Sequence, residues 1–289
     1  MRLLDSDITT REVLNWQGLH LVHYQGSACS QKVRIFMNLK KVDWQSHHLD
    51  LSAHQNYEPW FLGVNPRGLV PVLVHDGAVH IESNDILAYL EQVLPEPALI
   101  PPQQQNEIFD ALRVEDDLHL DLRALTMRFV IPKALAQKPS KAMHTYAETD
   151  GSVHGQPDTR KSVELTFWRE YAQNGVTNKQ VRESAHRFKE VYALLENQLA
   201  QHAYLTGDEI SLLDIAWFIY TQRLMTAGYP FARLHPRVLA WHKGLFARPE
   251  FAKEVVPPAP LRFITAVLHA VQKLQGSTLE KLFQREREI

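Results

Sequence analysis

Hydrophobic and polar positions repeat every second residue in the first part of the chain and every three to four residues beyond it. From Leu19 to Tyr24, the residues Leu19, Leu21 and His23 alternate with His20, Val22 and Tyr24, which predicts a strand. After a loop from Gln25 to Ser30, the stripe Val33, Phe36, Met37 and Lys40 predicts a helix whose lysine stem can snorkel along apolar surface. Trp44 to Leu51 reads as a more polar strand at a sheet edge, and Tyr57 to Phe61 as a short helical turn. Val70 to Val74 is an apolar run, Asp76-Gly77 a hairpin signal, and Val79 to Ile81 a resumed strand. Ser83 opens a helix with Ile86, Leu87 and Leu90 on one face.

Strand, helix, strand, hairpin, helix is the order of a thioredoxin-like α/β unit, placed here at 19–94. Residues 1–18 show neither period and read as an N-terminal extension. The proline- and glutamine-rich stretch 95–105 reads as a linker, and residues 106–289 as an all-α domain. Within that domain Ile108 to Arg128 predicts one long helix, followed by helical patterns at Val163–Tyr171 and Val181–Ala200. Between about 136 and 158, Pro139, Gly151, Gly155 and Pro157 interrupt a polar stretch, which predicts a partly mobile insertion loop. Ser211 and Asp214 form a capping box ahead of the apolar run Ile215 to Tyr220, the expected buried helix of this half. Near the end, Ile264, Val267, Leu268, Val271 and Leu274 predict an amphipathic helix, packed on its own domain or else serving as a lid over the substrate site or a partner-binding helix.

Composition narrows the function by exclusion. With 31 Lys+Arg against 33 Asp+Glu, the net charge of −2 offers no pull toward nucleic acid or an anionic membrane. No run reaches the roughly 18 apolar residues of a membrane span, and the first residues carry no signal-peptide core. The single cysteine, Cys29, rules out an internal disulfide and dithiol chemistry, which suits a reducing, cytoplasmic setting. Fifteen histidines include no ligand spacing typical of a metal site, so none is expected. Glycine-rich phosphate loops and the G-x-S-x-G elbow are also missing from the sequence.

The chemistry that remains lies around Pro71 and at two helix starts. Pro71 inside an apolar strand argues for a strand start or edge and admits a cis bond, which would turn the N–H and C=O of Val70 toward a peptide-like ligand. Glu82 and Ser83 stand where strand gives way to helix. There free N–H groups and a hydroxyl can hold a carboxylate while Glu82 meets an ammonium. Asn65-Pro66-Arg67-Gly68-Leu69-Val70-Pro71 followed by Glu82-Ser83 and Ile86…Tyr89-Leu90 resembles the glutathione transferase superfamily. So does Leu205-Thr206-Gly207-Asp208 ahead of the capping box.

That resemblance implies glutathione as co-substrate, bound by Val70, Pro71, Glu82 and Ser83, with His54, Gln55 and Arg67 at its glycine end. Leu69 departs from the Lys or Gln common in the family just before the Val-Pro pair. The segment Ser27-Ala28-Cys29-Ser30-Gln31-Lys32-Val33-Arg34-Ile35 resembles the active site of the zeta and theta classes, which makes Ser27 the thiol-activating hydroxyl. Cys29 is the rival, by mixed-disulfide chemistry of the omega kind. Tyr24 reads as core or wall and Arg34 as a salt-bridge partner. The resemblance further implies a detoxifying homodimer acting on a small, hydrophobic electrophile held by the helical domain. A second class of reading is a transferase-like binding or regulatory protein, since Gln31 to Arg34 and Glu58 to Phe61 resemble the ganglioside-induced differentiation-associated branch.

Overall fold

The computed structural model describes residues 1–284. They form two compact units, one of residues 1–95 and 137–173, the other of residues 96–136 and from 174 onward. In the first, β1 (Leu19–His23), α1 (Ala28–Lys40), β2 (Gln45–His48), α2 (Pro59–Leu62), β3 (Val72–His75), β4 (Ala78–His80) and α3 (Ser83–Val93) follow the predicted order. The sheet runs β2-β1-β3-β4, with β1 parallel to β2 and antiparallel to β3, and β3 antiparallel to β4. A parallel pair needs a crossover, and α1 supplies it. Leu21, Val72, Leu73 and Val74 are fully buried, which is why β3 reads as an unbroken apolar run rather than an alternating one. Lys40 does not snorkel: its ammonium lies 2.7 Å from the Glu91 carboxylate, both buried, and ties α1 to α3.

The N-terminal segment is part of this unit's core, not a loose extension. Leu3 N–H donates to Val79 O and Ile81 N–H to Met1 O, both at 2.9 Å, so residues 1–3 cover the outer edge of β4. Two 3-10 turns, Asp5–Asp7 and Arg11–Asn15, then bury Ile8 and Val13 against the sheet. Such turns have a three-residue repeat too short to register as a period in sequence.

Beyond Pro95 the chain continues through α4 (Gln105–Asp117), α5 (His119–Phe129) and α6 (Lys133–Ala136) of the second unit. The expected single long helix is two, because Leu118, at φ −88° and ψ 3°, closes α4 and opens α5 without a glycine or proline to announce it. The linker is also anchored: Leu99 is buried and its carbonyl accepts from Leu212 N–H at 2.9 Å.

The expected mobile loop is structured and belongs with the first unit. It holds α7 (Ser140–Glu148) and a hairpin of β5 (Ser152–Val153) and β6 (Gln156–Pro157), and leads into α8 (Arg160–Asn174). Polar composition hid this because the segment packs through few residues. Tyr146 is fully buried against Tyr57, and Asp7 accepts from Ser152 Oγ at 2.6 Å and from the N–H groups of His154 and Gly155 at 2.9 Å.

The second unit is completed by α9 (Asn178–Gln198), α10 (Leu212–Ala227), α11 (Phe231–Leu234), α12 (Pro236–Phe246), α13 (Pro249–Val255), α14 (Ala259–Leu274) and α15 (Leu279–Gln284). The buried helix is α10, as expected. At its start Asp214 accepts from Ser211 N–H and Oγ, Leu205 N–H and Trp241 Nε1, all within 3.0 Å. Burial pushes the Asp214 carboxyl above its ordinary pKa, and those four donors work against that rise. The amphipathic C-terminal helix exists but packs by its polar edge. Thr265, His269 and Gln272 donate to the carbonyls of Val130, Phe129 and Arg128 at the end of α5, where a helix has carbonyls to satisfy. Phe263, Val267, Val271 and Leu274 are left exposed. Among the described residues no helix is long and apolar enough to cross a membrane.

Candidate active site

Two helix starts of the first unit carry the candidate chemistry. Ser27 is the N-cap of α1, with extended backbone, and its Oγ accepts from Ser30 N–H at 3.3 Å. A hydroxyl has one proton and two lone pairs, so accepting that bond leaves its proton for a ligand anion. The N–H end of α1 adds partial positive charge at the same place. Cys29 lies one residue inside α1, half-buried, in the first turn rather than at the cap.

The loop bearing Ser27 is fixed by Arg34. Its guanidinium donates to Tyr24 O at 3.3 Å, Gln25 O at 3.0 Å and His23 Nδ1 at 3.1 Å. His23 therefore carries its proton on Nε2, 2.8 Å from Ser46 Oγ. Burial, with the Arg34 charge behind it, drives the His23 pKa down to about 4. Tyr24, just past β1, is half-buried with its ring beside His48.

At the second helix start the Val70-Pro71 peptide is cis. Glu82 rather than Ser83 is the N-cap of α3, with φ 64° and ψ 115°, and Ser83 is the first helical residue, buried. Arg67 is buried and committed to carboxylates, away from the glycine-end role expected of it. Its Nε and one terminal nitrogen each donate at 2.9 Å to the two oxygens of Asp158, and the other terminal nitrogen donates to Glu82 at 2.5 Å. Burial opposes the guanidinium charge, but the bonds to Asp158 and Glu82 outweigh it and raise the Arg67 pKa.

The segment ahead of Pro71 is held from several sides. Asn65 Oδ1 accepts from Arg67 N–H and its Nδ2 donates to Leu69 O, Asn56 Nδ2 donates to Gly68 O, and Tyr146 OH donates to Arg67 O. His54 sits at φ 62°, half-buried. Its pKa is lowered by burial and then by the charge of Lys138. Gln55 is turned to the backbone, where its Oε1 accepts from Asp50 N–H at 2.7 Å. Asp158 and Tyr146 escaped the sequence reading because nothing local marks residues 91 and 79 positions away from Arg67 as its neighbours.

A thioredoxin-like α/β unit with a capped serine at its first helix, joined in the chain to an all-helical unit, defines the glutathione transferase class of fold. The family model "Glutathione S-transferase, N-terminal domain" matches residues 26–93, and "Glutathione S-transferase, C-terminal domain" matches 178–244. The chain belongs to the glutathione S-transferase superfamily. It is 29% identical over 241 residues to Protein LigF of Sphingobium sp. (strain NBRC 103272 / SYK-6), covering 80% of this chain and 90% of that one. The crystal structure of that beta-etherase aligns with a TM-score of 0.68 over 82% of this chain and 98% of that one. Glutathione S-transferase 1 of Dianthus caryophyllus is 28% identical over 201 residues, 69% of this chain and 74% of that one. A zeta-class glutathione S-transferase of Euphorbia esula reaches 41% over 83 residues, 29% of this chain and 37% of that one.

Proposed function

We propose that this protein is a glutathione transferase that uses Ser27 to hold the glutathione thiol as its thiolate, for attack on a small hydrophobic electrophile. The observation that carries the reading is Ser27 at the cap of α1, its lone pair used by the helix and its proton left over. A free thiol ionises near pKa ~8.5, and each unit of lowering is worth about 1.4 kcal/mol of preference for the anion. A hydroxyl donor at a helix N-terminus supplies preference of that size. Val70, Pro71, Glu82 and Ser83 hold the peptide, with His54 toward its glycine end. The thiolate forms a C–S bond and expels the leaving group, an aryl oxygen where the electrophile is an ether, as the beta-etherase relative suggests. The protein works in the cytoplasm as a homodimer in detoxification.

The test is calorimetry with glutathione together with turnover of an aryl halide and of an aryl ether. Ser27→Ala is expected to lower turnover about 10- to 100-fold, the effect of losing one hydrogen bond to a charged atom. Its glutathione affinity should stay within about twofold, because the peptide is held elsewhere. An inactive Cys29→Ala beside a fully active Ser27→Ala would transfer the role to Cys29. A wild-type protein with no affinity for glutathione would remove the reading altogether.

A further inference from the structure

The cluster of Arg67, Glu82 and Asp158 contains one guanidinium and two carboxylates, so it carries one excess negative charge. The three groups are not equivalent. Arg67 and Asp158 side chains are 7% and 9% exposed, whereas Glu82 is 22% exposed, the most accessible of the three. Asp158 takes two of the guanidinium donors in a bidentate pair, the stronger geometry, while Glu82 takes one. The neighbouring Met1 ammonium leaves the balance unchanged, because it pairs with Asp85 at 3.2 Å. Without Asp158, Arg67 and Glu82 would be a neutral pair with nothing left to attract a cation. With Asp158 in place the guanidinium is already neutralised and the Glu82 charge remains available.

We propose that Asp158, supplied by the 137–173 segment, is a positioning residue that reserves the charge of Glu82 for the γ-glutamyl ammonium of glutathione. The inference rests on the proposed function. Asp158 need not touch the ligand; it acts through Arg67. The same segment fixes Arg67 from the other side, since Tyr146 OH donates to the Arg67 carbonyl at 2.8 Å. A structured insertion thereby sets the electrostatics of a binding site 76 positions earlier in the chain (158 − 82).

Calorimetry on the full-length protein separates this from simple structural support. Asp158→Asn keeps the shape and removes the charge, and it is expected to weaken glutathione about tenfold. It should leave unchanged the affinity for cysteinylglycine, which lacks the γ-glutamyl group, and the kcat at saturating glutathione. Asp158→Glu should retain affinity. Adding Arg67→Met to Asp158→Asn restores the excess charge on Glu82 and is expected to recover most of the lost affinity. Unchanged glutathione affinity in Asp158→Asn would overturn the inference. So would an equal loss for cysteinylglycine, or a double variant weaker than Asp158→Asn. Wild-type protein that fails to bind glutathione would instead sink the proposed function, an outcome read before any variant is made.

Discussion

Ser27 and Cys29, two positions apart, occupy different places on α1. The serine is at the cap, where its Oγ accepts from Ser30 N–H, and the thiol is already within the first turn. Elsewhere single residues set stability rather than chemistry. His242 is buried with both ring nitrogens lacking a hydrogen-bond partner among the described residues, stacked on Phe218 with ring centres 4.6 Å apart. Burial lowers its pKa to about 4. The folded pKa lies below the unfolded value of about 6.5, so the folded state binds fewer protons in this window. The stabilising contribution is therefore present above pH ~6.5 and lost as the pH falls toward about 4. His23 and His80, also near 4, act in the same direction. His242→Phe keeps the ring and removes the titration. It is expected to melt higher at neutral pH, by about 1–3 kcal/mol for the unpaired polar atoms removed. It should also lose less stability on acidification, by up to about 3 kcal/mol at pH 4. A melting curve with the same pH slope as wild type would refute this use of His242.

The β3–β4 hairpin is the element where local sequence and distant packing meet. Asp76 and Gly77 have φ of 48° and 77°, the left-handed pair that a two-residue turn demands. Asp76 Oδ1 accepts from Gly18 N–H at 2.7 Å, and a Cβ on Gly77 would stand 2.2 Å from Leu14 O. The glycine is therefore needed twice, for its dihedral and for the close approach of the N-terminal turn. Gly77→Ala is expected to cost about 2–3 kcal/mol, more than the ~1 kcal/mol of the dihedral alone. Chemical denaturation measures it, and a loss of only about 1 kcal/mol would mean that the N-terminal turn simply moves aside. Periodicity found α9 and α10 of the helical unit but gave no reading of α12, which buries Val238, Trp241 and Leu245 on one face. It missed the break at Leu118 and the 3-10 turns. In α14 the polar edge, rather than the apolar stripe, meets the end of α5, which leaves Val267, Val271 and Leu274 exposed.

At the scale of the whole molecule the proposed homodimer rests on exposed surface. Among the charges of α4 and α5, Glu115 and Asp121 are buried within the second unit, Asp121 against Arg187 and Ser184 at 2.6 Å. Arg113, Asp116 and Asp117 remain exposed beside Val114 and Leu120, each 43% exposed. Such a surface mixes apolar and charged groups. Light scattering at micromolar concentration should give a dimer that weakens only modestly between about 0.1 and 1 M salt. A fully active monomer would end that proposal. The sequence by itself determined the α/β-then-helical order, the Asp76-Gly77 turn, the Ser211–Asp214 cap and the serine at α1. Each depends on residues within a few positions of one another, where propensity and capping act. Only the tertiary structure decided that residues 137–173 join the first unit, that the N-terminal segment completes its sheet, and that Arg67 pairs with Asp158. Those outcomes depend on pairing charges and filling volume between residues far apart in the chain, and no local pattern records which partners will meet.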